Sequence, residues 1–221
     1  MSTVRIIGDV HGKYQEYIAL TKGCDYSIQI GDMGFNYDAI SNLNGERHKF
    51  FRGNHDNYDA YWQDINTFGH SNYGYEQFNG FQFFYVGGGF SIDWKQRQQA
   101  YLAGGPKTYW DKEELCLESM YNVIDKYKMI KPRVVISHEC PRMISKEVGN
   151  NEILEVFGYN PRTFTTRTSE LLQMMFEYHR PEYWFFGHYH RNWARNVNGT
   201  DFRCIDELSY VDFEYLNDKF H

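Results

Sequence analysis

Residues 4–14 read VRIIGDVHGKY. An apolar run with strand character stops at Gly8 and delivers Asp9 and then His11. Taken alone, the ending has an ordinary explanation, because Asp is a favoured helix N-cap and the next residues begin a helical pattern. The rest of the chain repeats the ending too often for that. YSIQIGD closes an apolar run on Asp32, HKFFRGNHD closes one on Asn54, His55 and Asp56, RVVISHE closes one on His138, and YWFFGHYH closes one on His188 and His190.

Between these runs lie helical spacings. Tyr14, Tyr17, Ile18 and Thr21 share one face. WDKEELCLESMYNVIDKYKMI offers Asp111 and Glu114 as a capping pair, and Cys116, Met120, Val123 or Ile124 and Tyr127 as an apolar stripe, so a helix is expected from Asp111. Pro132 ends it before RVVIS. Leu171, Leu172, Met175, Phe176 and His179 mark another helix, closed by Pro181, and Asn198-Gly199 is a two-residue hairpin signal. The alternation of strands and helices followed by hairpin strands predicts an α/β sandwich with a mixed sheet. In such folds ligands gather outside the carboxyl ends of strands, which would gather the five endings into one site.

A chain of 221 residues is expected to form a single domain, residues 1–221. Its four cysteines, Cys24, Cys116, Cys140 and Cys204, lie far apart with no CxxC pair, which suggests reduced thiols and neither a zinc knuckle nor a disulfide framework. The sequence shows no basic-plus-apolar leader and no apolar run of the roughly 20 residues a membrane span needs. The expectation is a cytoplasmic protein with no membrane partner. A net charge of −6 speaks against a broad nucleic-acid-binding surface, though not against a local basic groove. The ligand-type side chains supply oxygen and nitrogen without thiolate, a set suited to Mn²⁺, Fe or Zn²⁺ and less to Mg²⁺.

GDVHG, GD, GNHD, SH and GHYH occur in the order found in the calcineurin-like metallophosphoesterases, and over most of its length the chain resembles that family. The resemblance implies an αββα sandwich of mixed β-sheets flanked by helices, with a dinuclear metal site at the C-terminal ends of the strands. It makes Asp9, His11, Asp32 and His190 ligands of one ion, with Asp32 bridging to a second held by Asn54, His138 and His188. Mn is the first expectation for both, with Fe, Zn, Ni or Mg as alternatives. His55 would then be the non-ligand histidine acting on the phosphoryl or leaving-group oxygen, with Asp56 as its orienting partner, and metal-bound hydroxide would be the nucleophile. Arg52, just before GNHD, is a candidate phosphate contact or a carboxylate partner. His48, His70, His179, His221 and Cys140 are read as structural or surface residues.

The Ser/Thr protein phosphatase branch carries Asp and Arg where this chain has Phe35 and Asn36, so its phosphate-binding arginine is missing here. GGGFSIDWKQRQQAYLAGGPKTYWDKEEL is similar to a segment of compact bacterial and phage members. Its glycines suggest a loop folded over the crevice in which Arg97, steadied by Asp93, contacts substrate. Residues 141–168, the least periodic part of the chain, are expected to lie near the active edge. The function expected is hydrolysis of a phosphodiester in a small nucleotide or nucleic-acid-type substrate. The alternatives are a Ser/Thr-type protein phosphatase or other phosphomonoesterase, and a non-catalytic metal-binding scaffold.

Overall fold

The computed structural model describes residues 2–60, 67–68 and 72–215. In chain order its elements are β1 (Ser2–Ile7), α1 (Tyr14–Thr21), β2 (Ser27–Gln29), β3 (His48–Phe50), β4 (Tyr73–Phe78), β5 (Phe81–Val86), α2 (Trp94–Leu102), α3 (Leu117–Ile130), β6 (Val134–Ser137), α4 (Arg142–Val148), α5 (Asn151–Val156), α6 (Arg167–Tyr178), β7 (Tyr183–Phe186), β8 (Trp193–Val197), β9 (Thr200–Cys204) and β10 (Tyr210–Tyr215). Among the described residues no helix is long and apolar enough to cross a membrane.

Both sheets are mixed. One runs β10-β1-β2-β3, with β1, β2 and β3 parallel and β10 antiparallel. The other runs β4-β5-β6-β7-β9-β8, with antiparallel strands at its two edges. Side chains alternate across a strand, and the burial follows that alternation. Val4 and Ile6 of β1 meet Phe81, Phe83 and Tyr85 of β5, Val134 and Ile136 of β6, and Phe185 of β7 between the two sheets. Ile7 instead joins Tyr17 of α1 on the outer face of the first sheet. On the outer face of the second, Phe84, Val135, Trp184 and Phe186 pack against Val123 and Tyr127 of α3 and Leu172, Met175 and Phe176 of α6. Three apolar layers between four layers of structure make an αββα sandwich.

Register aligns the strand ends. Ile7 pairs with Gln29 and Gln29 with Phe50, while Val86 pairs with Ser137 and Ser137 with Phe186. The residues that follow each of these strands therefore emerge at common levels. The Asn198-Gly199 hairpin forms between β8 and β9, with both residues at positive φ, as a two-residue primed turn requires.

Two expectations are corrected. The helix predicted from Asp111 begins at Leu117, and Cys116 is its exposed N-cap instead of part of its apolar face. The acidic residues upstream are spent elsewhere: Glu114 accepts the Thr168 N–H in the first turn of α6 at 2.9 Å, and Glu113 accepts the Trp110 N–H at 3.0 Å. The segment read as a loop over the crevice contains α2, a helix that buries only Arg97.

Trp184 is fully buried, donates its indole N–H to Ser137 Oγ at 2.8 Å and stacks on Phe202. Trp184→Ala is expected to cost about 3–5 kcal/mol in chemical denaturation, as large-to-small changes at fully packed aromatic sites do. A loss well below that range would show that the layer between sheet and helices is loosely packed.

Candidate metal centre

His11, Asp32, His188 and His190 all adopt positive φ, at 49°, 61°, 66° and 49°. Left-handed backbone is uncommon for non-glycine residues and costs free energy, so its concentration at strand ends marks a place where side-chain direction outweighs backbone comfort. Neighbouring glycines make the convergence sterically feasible. A Cβ on Gly187 would collide with the Asp9 carboxylate, and one on Gly31 with the His138 ring.

The side chains form two groups. In the first, His190 Nε2 lies 3.1 Å from Asp9 Oδ2 and 2.9 Å from His11 Nε2. In the second, Asn54 Oδ1 is 2.9 Å from both His138 Nε2 and His188 Nδ1, and those two nitrogens are 3.3 Å apart. Asp32 faces both: its Oδ2 lies 3.6 Å from His11 Nε2, and its Oδ1 lies 3.2 Å from His138 Nε2. Asp9, His11 and His190, and likewise Asp32, His138 and His188, can each offer ligand atoms within 4.8 Å of one another.

The hydrogen-bond inventory of the second group calls for a positive centre. His138 Nδ1 lies 3.0 Å from the Ile30 carbonyl, which can only accept, so this nitrogen carries a proton. In the neutral ring Nε2 is then a lone pair, and it faces two further acceptors, Asn54 Oδ1 and Asp32 Oδ1. A proton or a cation must sit among them. Burial opposes charge on His138, yet Asp32 first, then Asp9 and the Ile30 carbonyl, carry its pKa up to about 10. Burial and the charge of His138 drive His188 down to about 3. Burial also works against the Asp9 carboxylate, but hydrogen bonds from His11 and His190 hold its pKa below the usual range. Carboxylate, imidazole and carboxamide oxygen around a cation-requiring centre, with one imidazole oriented by a backbone carbonyl, fit a divalent metal of borderline hardness.

His55 sits beside the first group, its ring centroid 5.1 Å from that of His11, and its backbone N–H donates to Asp32 Oδ1 at 2.7 Å. Asp56 does not serve as its orienting partner in this arrangement. The fully buried Asp56 carboxylate accepts the N–H groups of Asp32 at 2.8 Å, Gly34 at 3.2 Å and Gly53 at 2.7 Å, and the Tyr37 hydroxyl at 3.0 Å. Arg52 is buried as well; it donates to the Ala60 carbonyl at 2.7 Å and lies over the Tyr58 ring.

Arg97 points into the protein. Its Nη1 donates to Ser91 Oγ at 2.5 Å and lies 3.6 Å from Asp93, and Ser91 Oγ donates to Glu113 at 2.6 Å. Asn54 Nδ2 donates to the same Ser91 Oγ at 3.0 Å. The serine oxygen is thus filled by two donors, which fixes the Asn54 amide with its nitrogen toward Ser91 and its oxygen toward His138 and His188.

Sequence reading missed Ser91, Glu113 and Glu139. Glu139, directly after His138, is buried and accepts the Phe90 N–H at 2.7 Å and the Thr166 hydroxyl at 2.6 Å. Its adjacency to His138 was the one available signal. His48 bonds Ser27, His179 bonds the Pro132 carbonyl, and Cys140 packs in the core. His70 and His221 lie outside the described residues. A cavity of about 830 Å³ opens over both groups and over residues of α4 and α5.

Residues 2–192 match the family model described as calcineurin-like phosphoesterase. Among solved structures, the chain is similar to phosphopantetheinyl hydrolase from Mycobacterium tuberculosis, with a TM-score of 0.54 and 14% identity over 94% of this chain and 90% of that one. It is also similar to a putative 5′-nucleotidase from Staphylococcus aureus, with a TM-score of 0.53 and 12% identity, covering 94% of this chain but only 49% of the other. At these identities the likeness is one of fold. No curated protein matches the chain in sequence.

The Arg97–Ser91–Asn54 chain predicts that Arg97→Ala weakens ion binding at the Asp32, Asn54, His138 and His188 group by about 10- to 100-fold, the usual loss when a partner that orients a ligand is removed. Calorimetric titration with Mn²⁺ should show one of two binding events displaced to weaker affinity and the other retained. Unchanged affinity at both would show that the Arg97–Ser91 pair does not govern how Asn54 faces the ion.

Proposed function

This chain belongs to the calcineurin-like phosphoesterases, a dinuclear-metal-dependent family of phosphoester hydrolases, and from that membership we propose that it hydrolyses phosphodiesters of small, nucleotide-like molecules. Asp9, His11, His190 and Asp32 would hold one divalent ion, and Asp32, Asn54, His138 and His188 a second, with Mn²⁺ the best match to the donor set. Such ions supply Lewis acidity toward phosphoryl oxygens and make water acidic enough to serve as a nucleophile near neutral pH.

The residues do the rest. Asp32 couples the two groups through its two oxygens, so that both face one phosphoryl position. Two carboxylates set against two divalent ions leave net positive charge to attract the ester anion. His55, beside the first group, donates an N–H to the phosphoryl or leaving-group oxygen.

The observation that carries the diester reading is the placement of the arginines. Arg52 and Arg97 are both buried in internal hydrogen bonds, and Arg162, on the far wall, is the only arginine among the described residues lining the cavity. A monoester dianion asks for more positive charge at the phosphoryl group than a diester monoanion, and none is supplied there by guanidinium. A screen of the Mn²⁺-loaded protein against cyclic nucleotides, dinucleotides, oligonucleotides and phosphopeptides tests the reading. Preference for a phosphopeptide over every diester would overturn it.

Two expectations follow from the metal sites. Ligands that bind only the folded chain stabilise it by about 2.7 kcal/mol at a hundredfold excess over Kd, so chelation should lower the melting temperature and abolish hydrolysis; identical melting curves would sink the two-ion reading. His55→Gln should retain both ions while kcat falls by about 10²–10⁴-fold, the scale of a lost acid–base group. Asp32→Asn should lose metal. Loss of metal from the His55 variant would show that its assigned role is wrong.

A further inference from the structure

The cavity over the two groups has walls of different kinds. One is the Asp, His and Asn floor just described. The other is built from residues 141–168 together with Phe90 and Ile92. Within that second wall α5 reads NEILEV, and none of its six residues is buried. Helices in proteins draw most of their stability from burying an apolar face. This one leaves Ile153 45% exposed and Leu154 half-buried, both on the cavity, and is held at its start by Asn150 Oδ1, which accepts the N–H groups of Glu152 and Ile153. Phe90, Phe157 and Phe164 line the same space and are likewise only half-buried. The Phe90 ring stands 5.9 Å from both Tyr159 and Phe164, which are 4.8 Å from each other.

We infer that this aromatic wall is a subsite for a planar aromatic or heteroaromatic ring carried by a low-molecular-weight phosphoester whose phosphoryl group lies on the Asp/His floor. The inference rests on the phosphoesterase reading above for the floor and on the wall's own residues for the ring. A cavity of about 830 Å³ falls within the range of sites that enclose small organic ligands, roughly 300–1,000 Å³, and a phosphate group alone would leave most of it unfilled. Phenylalanine side chains clustered at tilted and edge-on angles receive a further ring by stacking or edge contact, tolerant of its identity. The charge agrees: Lys146 and Arg162, exposed at the cavity, have no ion-pair partner among the described residues, and they set two cations on the wall opposite the Asp and His floor, where they attract an anionic ester. A phosphoserine on a peptide has a short aliphatic stem and would leave the wall uncovered.

Phosphonates, whose C–P bond does not hydrolyse, separate binding from turnover. Calorimetric titration of the Mn²⁺-loaded protein should show benzylphosphonate binding about tenfold more tightly than propylphosphonate, the scale of one stacking contact. Phe164→Ala and, separately, Phe157→Ala should close that gap while leaving propylphosphonate affinity and the melting temperature unchanged. Equal affinity of the two phosphonates for the wild-type protein overturns the inference, as does a loss that falls on both alike in both variants. Tighter binding of a phosphopeptide or oligonucleotide than of benzylphosphonate, lost in the same variants, also overturns it. Hydrolysis of bis(p-nitrophenyl) phosphate is measured in parallel. Ring-selective binding without that hydrolysis would support the subsite and strike only the catalytic reading.

Discussion

The buried carboxylate of Asp56 is the joint on which the metal centre depends. It takes the N–H groups of Asp32, Gly34 and Gly53 together with the Tyr37 hydroxyl, and so ties the loop after β2 to the loop after β3. Asp32 returns the tie by accepting the His55 N–H. Each loop thereby fixes the other's backbone, and Asp32 can be held at φ 61° with its two oxygens directed to different groups. The arrangement is costly: burial first, and then the charge of Asp32, push the Asp56 pKa up to about 7, against the pull of Gly53 and Tyr37. A carboxylate in that setting is held by its hydrogen bonds, since each buried N–H it satisfies would otherwise be orphaned.

The sequence made the strand ends legible because a strand that terminates in Asp or His, five times over, is a local signal with a chemical meaning. The register confirms why such signals add up: Ile7, Gln29 and Phe50 lie level, as do Val86, Ser137 and Phe186. What escaped were partners chosen across long separations. Ser91 meets Asn54 from 37 residues away and Glu113 from 22. No periodicity announces such a contact. Arg97 was visible as a cation and Asp56 as an acid, but neither the type nor the spacing of a charged residue says whether it faces substrate or the protein. The late start of α3 has the same cause, because Glu113 and Glu114 are drawn into distant hydrogen bonds with Ser91 and Thr168.

The two histidine-rich groups differ in how they are restrained. In the second, His138 is oriented by the Ile30 carbonyl and Asn54 by Ser91, and both are essentially excluded from water. In the first, His190 is exposed and His11 half-buried, with Asp9 the one fully buried member. Coulomb interactions strengthen as water is excluded, so the two groups offer a cation unlike environments from similar donors. The second is the more rigid and the more demanding of charge compensation. The first is the more open to water.

Glu139 joins this rigid floor to the wall opposite. It follows His138 directly in the chain, and its carboxylate accepts the Phe90 N–H and the Thr166 hydroxyl. Phe90 belongs to the loop after β5, and Thr166 is the N-cap of α6, whose capping box closes the 141–168 excursion. One buried acid therefore sets the height of the aromatic wall above the histidines. Between its anchored ends the excursion has little apolar burial of its own: α4 contributes Ile144 and Val148 to the core, while α5 contributes nothing. A wall fixed at both ends and unburied in the middle can adjust to a ligand's shape without moving the floor, because the hydrogen bonds that hold Asp32, Asn54 and His138 run through β2, β3 and the Ser91 network and not through α5. The site thus separates chemistry, which needs fixed donors, from fit, which needs a yielding surface.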